Sequence, residues 1–166
     1  TTAPQQIEAL VRPLLEGRSA GVISEAGVPA VADPGAAVVA LCHRKGIRVV
    51  PLVGPSSIIL AMMASGQNGQ SFAFNGYLPV KEPDRSRAVK RLEARALSEH
   101  QSQAFIETPY RNVKLFGELL QCCAADTVLT VAADITAPTE LIATHTVAEW
   151  RRIGVPDIHK RPAIFI

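Results

Sequence analysis

Apolar residues recur along this chain of 166 residues in two rhythms. One is a short, nearly continuous run of strand length; the other returns every three or four positions, as one face of a helix does. Runs of the first kind predict six strands: AGVISE (20–25), IRVVPL (47–52), FAFNGYL (72–78), SQAFIE (102–107), VLTVAAD (128–134) and RPAIFI (161–166). A seventh candidate is ELIATHT (140–146). Helical spacing links Ile7, Leu10, Val11, Leu14 and Leu15 at the start of the chain, and Val113, Phe116, Leu119 and Leu120 further on. Between these, Ile58, Ile59, Leu60, Met62 and Met63 follow Gly54-Pro55-Ser56-Ser57 in a helix apolar on most sides, with a stop at Gly66. Asp33-Pro34 and Thr108-Pro109 each join a capping side chain to a proline suited to a first helical turn, and the helix after Asp33 is expected to end near Gly46.

Strands alternating with helices predict an α/β fold, with a partial parallel-sheet N-terminal domain and a mixed-sheet C-terminal domain. No strand precedes the first helical stripe, so the parallel sheet begins in its middle. The rhythm weakens between Gly76 and Ser98, where KEPDRSRAVKRLEAR offers little apolar content before Val89 and Leu92. This composition change places a domain boundary between residues 1–78 and 79–166. The segment carries Lys81, Arg85, Arg87, Lys90, Arg91 and Arg95 against Glu82, Asp84 and Glu93. A solvated helix face accounts for that balance, and phosphate contact is the alternative.

Composition narrows the picture further. With 48% hydrophobic residues the chain can bury a substantial core, and disorder is excluded. Lys+Arg 17 against Asp+Glu 15 gives a formal charge of +2, too small to act as a nucleic-acid footprint by itself. Cys42, Cys122 and Cys123 lack CxxC spacing and fit a reducing cytoplasm. No apolar run approaches the roughly 20 residues of a membrane span, and no charged-then-apolar leader opens the chain, so a soluble, untargeted protein is expected. His43, His100, His145 and His159 are scattered without ligand spacing, and no metal is expected.

Four segments place candidate chemistry at strand ends. SEAGVPAVADPG (24–35) runs from a strand into a loop of small residues, where Gly27 would let a ligand approach the main chain. PLVGPSSI (51–58) repeats the form, and Ser56, Ser57 and the free N–H groups of the following helix suit a carboxylate or amide. FIETPYRN (105–112) gathers Glu107, Tyr110 and Arg111, and AADITAPTE (132–140) gathers Asp134, Thr136 and Glu140. Ordinary loops and caps produce the same patterns one at a time. Neither glycine loop has GxGxxG or GxxxxGK[ST] spacing, which removes support for dehydrogenases and P-loop kinases.

Taken together and in this order, the four segments resemble the tetrapyrrole methylase family, and most of all its ribosomal RNA ribose-methylating branch. Gly27-Val28-Pro29 stands where many members have Gly-Asp-Pro and that branch has Gly-Thr-Pro; Asp33-Pro34-Gly35 is similar to the branch throughout. GIRVVPLVGPSSIILAMMASG (46–66) resembles its GIRVVPLPGP segment and the next helix, and GYLP (76–79) its GFLP. Glu107 to Arg111 resembles its Tyr-Glu-Ser-x-x-Arg stretch, and Ile135-Thr136 its Leu-Thr-Lys region. The family's N-terminal strand with its Pro-rich loop, and about two strands after it, have no counterpart here.

The resemblance implies S-adenosylmethionine as cofactor, cradled by Gly27, Val28, Val31, Ser56 and Ser57 and approached by Glu107, Thr108 and Ala132 or Ala133. It implies methyl transfer to an RNA ribose 2′-hydroxyl of the 16S ribosomal RNA type, a cytoplasmic homodimer, and ribosomal RNA or the small ribosomal subunit as partner. Glu25, Glu107, Tyr110 and Glu140 are the candidate catalytic groups by residue type. Some positions depart from the branch: Glu25 replaces Asp, Val28 replaces Thr, Ala137-Pro138 stands where Lys is expected, and Arg161-Pro162 replaces a Gly-Glu pair. Methylation of a tetrapyrrole or another small molecule, and a dimerising or RNA-binding module without turnover, therefore stay open as alternatives.

Overall fold

A computed structural model describes residues 4–166, which divide into two compact units, one ending at Ser56 and one spanning Ser57–Ile166. The boundary expected at 78/79 falls inside the second unit.

The first unit holds α1 (Pro4–Leu15) and α2 (Ala36–Arg44). The helical stripe of α1 buries Val11 against Leu41 and Cys42 of α2, with Ile7, Leu14, Val38, Ile47 and Val49 packed around them. Two expectations are corrected here. Residues 20–25 and 47–52 are not strands: both lie outside regular structure, and neither joins a ladder among the described residues. A continuous apolar run has strand character, but a strand exists only when a neighbour takes its N–H and C=O groups. Ile23 is instead 92% exposed and Leu52 86%. The second correction concerns the α2 cap. The Ala30 N–H donates to the Pro34 carbonyl at 3.3 Å and draws Asp33-Pro34 into a turn, so Gly35, at φ 136°, is the N-cap and no side chain caps the helix.

The second unit contains α3 (Ser57–Ser65), β1 (Phe72–Tyr77), α4 (Asp84–Glu99), β2 (Ser102–Ile106), a 3₁₀ turn (Pro109–Arg111), α5 (Asn112–Cys122), β3 (Val128–Ala133), β4 (Leu141–Thr146), α6 (Val147–Ile153) and β5 (Ala163–Phe165). Its five strands form one mixed sheet in the order β1-β2-β5-β3-β4. β1 and β2 are parallel, while β5 runs antiparallel to both β2 and β3, and β4 antiparallel to β3. The ends of β1, β2 and β3 and the starts of β4 and β5 therefore share one edge of the sheet.

Period-two alternation sorts the strand residues onto two faces. On one, Ala104, Ala132, Ile164 and Ile166 pack with Ile58, Ala61 and Met62 of α3. On the other, Phe105, Leu129, Val131, Ala133 and Phe165 meet Val89 and Leu92 of α4, Leu115, Phe116 and Leu119 of α5, and Trp150 of α6. Phe116 and Trp150 meet edge to face at 5.3 Å, and the Trp150 indole donates to the Leu129 carbonyl at 2.8 Å. α6 begins with a capping box in which Thr146 Oγ1 accepts from the Glu149 amide and the Glu149 carboxylate accepts from the Thr146 amide. Among the described residues no helix is long and apolar enough to cross a membrane.

The basic segment before and within α4 is not uniformly solvated. Lys81, Arg87, Lys90 and Arg91 are exposed, but Arg85 is 1% exposed and turns into the protein.

Candidate functional site

At the shared strand edge, β2 ends in Ile106 and hands the chain to Glu107, a buried carboxylate. Its Oε1 accepts from the Thr108 amide at 2.7 Å, the Thr108 hydroxyl at 3.3 Å and Arg111 Nη2 at 2.7 Å; its Oε2 accepts from Arg85 Nη2 at 3.3 Å. Arg85 is itself fully engaged, donating from Nη1 to Glu118 at 2.7 Å and from Nε and Nη2 to the carbonyls of Pro79 and Val80. The fork geometry of a guanidinium suits this role, since one buried cation reaches two carboxylates and the incoming chain together. Burial pushes the Glu107 carboxyl up, but the Arg111 and Thr108 hydrogen bonds and the two guanidinium charges outweigh it, so the group sits below the usual carboxylate range. A carboxylate so held is a poor proton acceptor and a good anchor.

Thr108 thus turns its hydroxyl toward Glu107 instead of capping, although Pro109 does open the 3₁₀ turn as expected. Tyr110, next in the turn, is 73% exposed. Across the same edge, Asp134 follows β3 at φ 48° and receives Arg161 Nε and Thr139 Oγ1, each at 2.8 Å. The Thr139 hydroxyl, opposed in part by burial and aided by Arg161, lowers the Asp134 carboxyl. Glu140 closes that loop by accepting from the Thr136 amide at 2.6 Å. Ala132 and Ala133 are fully buried, on opposite faces, and paired to both β4 and β5.

The first unit gathers the two glycine loops. A Cβ built on Gly54 would stand 3.7 Å from Val28 Cγ1, which places residues 24–35 beside residues 51–56. Gly27 sits at φ 75° with nothing within 4 Å of a built Cβ, so its main chain is open to a ligand. Ala30 (φ 67°) and Ala32 (φ 55°) are held left-handed, a conformation that costs about 1–3 kcal/mol per residue and concentrates at ligand clamps. Val28 is half-buried, and Val31 and Glu25 are exposed. Open main chain with small apolar neighbours fits a nucleoside-type cofactor such as S-adenosylmethionine. Ser56 and Ser57 stand at the start of α3, whose first N–H groups have no helical partner.

Of the sequence candidates, Glu107, Thr108, Tyr110 and Glu140 lie at one sheet edge of the second unit, whereas Glu25, Gly27, Val28 and Val31 lie on the loops of the first. Arg85, Glu118 and Arg161 carry much of the edge electrostatics yet were not singled out as site residues by the spacing. Arg161 was visible only as a departure from the family pattern. Among the described residues no group of three His, Cys, Asp or Glu side chains is placed to hold a metal. A cavity of about 440 Å³ opens near the beginnings of β2 and β3, lined by Gln103, Leu119, Cys123 and Leu129, at the opposite sheet edge.

No protein-family profile matches the chain. It is 35% identical over 145 residues to a ribosomal RNA small subunit methyltransferase I of Vibrio cholerae, covering 87% of this chain and 49% of that protein. To the Escherichia coli protein of the same name it is 33% identical over 138 residues, covering 83% and 47%. The chain thus spans about half the length of the curated relatives it matches. Among solved structures it superposes on the methyltransferase CobJ with a TM-score of 0.63 at 16% identity, over 99% of this chain and 70% of that one. A uroporphyrin-III C-methyl transferase of Thermus thermophilus, in complex with S-adenosyl homocysteine, gives 0.55 at 20% identity over 98% and 71%. These two likenesses carry the fold.

Proposed function

We propose, from the premise that this chain belongs to the tetrapyrrole methylase family and resembles its ribosomal RNA small subunit methyltransferases I, that it forms part of an S-adenosylmethionine-dependent methyltransferase acting on the 2′-hydroxyl of a ribosomal RNA ribose. The observation that carries the reading is the pair of adjacent loops in the first unit. Their open glycine and two left-handed alanines offer main chain to a ligand, at the positions where the sequence resembles the family.

The cofactor supplies a methyl group on a sulfonium. Gly27, Val28, Val31 and Ser56, all on the loops of the first unit, bind it through main-chain, apolar and hydroxyl contact, and the family resemblance adds Ser57. At the sheet edge of the second unit, Glu107 acts as a positioning residue: it fixes Thr108 and Arg111 and takes no proton. In-line displacement forms the oxygen–methyl bond as the sulfonium–methyl bond breaks and asks mainly for orientation; the hydroxyl proton leaves to bulk water, so the absence of a free base at Glu107 does not oppose the reaction. Glu140, tied to Thr136, also serves its loop. We read the protein as cytoplasmic, because its three cysteines are free, and as a homodimer, because apolar side chains at Ile23 and Leu52 stand exposed.

Calorimetric titration of S-adenosylmethionine and S-adenosylhomocysteine tests the reading, on this chain and on the chain extended with the N-terminal segment of a full-length relative. Binding to either form that disappears in Gly27→Val supports it. Absence of binding to both overturns the cofactor assignment.

A further inference from the structure

Tyr110 is a large aromatic side chain left in solvent on backbone that is held unusually firmly. Pro109 sets the first residue of its 3₁₀ turn, and the Arg111 amide donates to the Thr108 carbonyl at 2.8 Å. A second segment, 157–161, is stitched to this turn. The Lys160 amide donates to the Pro109 carbonyl at 3.1 Å, and the fully buried Asn112 donates from Nδ2 to the Arg161 carbonyl at 2.7 Å and the Ile158 carbonyl at 3.4 Å. Ile158 is fully buried and anchors the segment in the core. Lys160 is thereby held at φ 60°, and its ammonium stands 5.7 Å from the centre of the Tyr110 ring. Beside it, Arg111 is anchored on Glu107 through one nitrogen and leaves its buried Nε without a partner.

The Lys160 ammonium lies over one face of the ring, and the side chain otherwise remains in solvent. A rigid, exposed aromatic ring with a lysine over one face, the other face open and an arginine next in the chain suits a single-stranded nucleic acid, because every base has a π-face and every linkage a phosphate. It also fits the small net charge, since stacking supplies affinity that a basic surface otherwise would. We propose that Tyr110 is the stacking platform for one unpaired nucleotide of the RNA substrate, with Lys160 and Arg111 contacting its flanking phosphates. The proposal rests on the RNA-methyltransferase reading and adds to it the residues that present the substrate beside Glu107.

The test is fluorescence anisotropy of the full chain with an unstructured, end-labelled RNA oligonucleotide, and with an RNA duplex of the same length. Tyr110→Ala is expected to weaken single-strand binding about tenfold or more, and Tyr110→Phe to leave it unchanged. Lys160→Ala is expected to weaken binding and lower the salt slope by about one. Trp150 fluorescence melts verify that each variant is folded. Unchanged binding in Tyr110→Ala, loss in Tyr110→Phe equal to that in Tyr110→Ala, preference for the duplex, or no binding by the unmutated chain would each overturn the platform. S-adenosylhomocysteine titration of the same proteins separates the two readings. Cofactor binding with RNA indifferent to Tyr110 leaves the methyltransferase and removes the platform, and RNA binding that depends on Tyr110 without cofactor binding does the reverse.

Discussion

Arg85 bridges two carboxylates, Glu107 and Glu118, at 3.3 and 2.7 Å, and each has a second cation, Arg111 at 2.7 Å and Lys114 at 3.8 Å. Removing the buried guanidinium empties its space and takes donors from Glu107, Glu118 and the Pro79 and Val80 carbonyls, while Arg111 and Lys114 still face the carboxylates, so Arg85→Ala is expected to cost about 3 kcal/mol in urea unfolding. Arg85→Lys should recover only part of it, because an ammonium cannot reproduce the fork. The same network makes stability depend on pH. The folded Glu107 carboxyl titrates below its unfolded value, so its contribution is fully present above about pH 4.3 and is lost as pH falls through the lowered folded value. A Glu107→Gln chain should therefore show a flatter acid limb in a series of urea midpoints from neutral to low pH. Glu107 stood out in the sequence as a candidate by type, but not as an anchor. Its partner Arg85 looked like one more charge on a solvated face, since a guanidinium gives no sign in one dimension of the carbonyls at Pro79 and Val80 that receive it. Tyr110 was singled out by type, whereas Lys160 is distant in sequence, and Asn112, although inside FIETPYRN, gives no sign in one dimension of the Ile158 and Arg161 carbonyls it reaches.

The five strands of the sheet were legible as short apolar runs because most of them are packed on both faces: Ala104 and Phe105, or Val131 and Ala132, sort to opposite sides as period two demands. The two apolar runs at 20–25 and 47–52 carried an equally clear signal and are not strands, since composition records a wish for burial but not the presence of a neighbour. α6 was missed, although Thr146 and Glu149 have the spacing of a capping box; its seven residues are too few for helical periodicity to stand out. That box should be worth about 1 kcal/mol, so Thr146→Ala is expected to lower stability by that amount, read from the fluorescence of Trp150, the single tryptophan. Trp150→Ala should cost more, about 3–5 kcal/mol, because it also empties the space against Phe116 and frees the Leu129 carbonyl.

The two compact units differ in what holds each together. The unit ending at Ser56 has a core of Val11, Leu41 and Cys42 with a few half-buried neighbours, and no sheet among its described residues. The unit spanning Ser57–Ile166 has a five-stranded sheet packed on both faces. Hydrogen exchange should accordingly run faster in α1 and α2 than in β2, β3 and β5, and equal protection would contradict this account. The exposed apolar side chains of the first unit, Ile23 and Leu52 among them, should also drive association. Sedimentation velocity is expected to show concentration-dependent species that diminish in an Ile23→Lys, Leu52→Lys double variant. The strand order carries a consequence for how the sheet is made. β5, three residues long, is the last of its strands in sequence, yet it lies in the middle, pairing Phe165 with Phe105 and Val131 and Ile164 with Ile106 and Ala132. As the chain leaves a ribosome, the β1–β2 pair and the β3–β4 hairpin emerge first as two half-sheets, each with a raw inner edge. A single short insertion joins them, so nascent chains stalled before residue 163 would be the species most open to mispairing and to capture by chaperones.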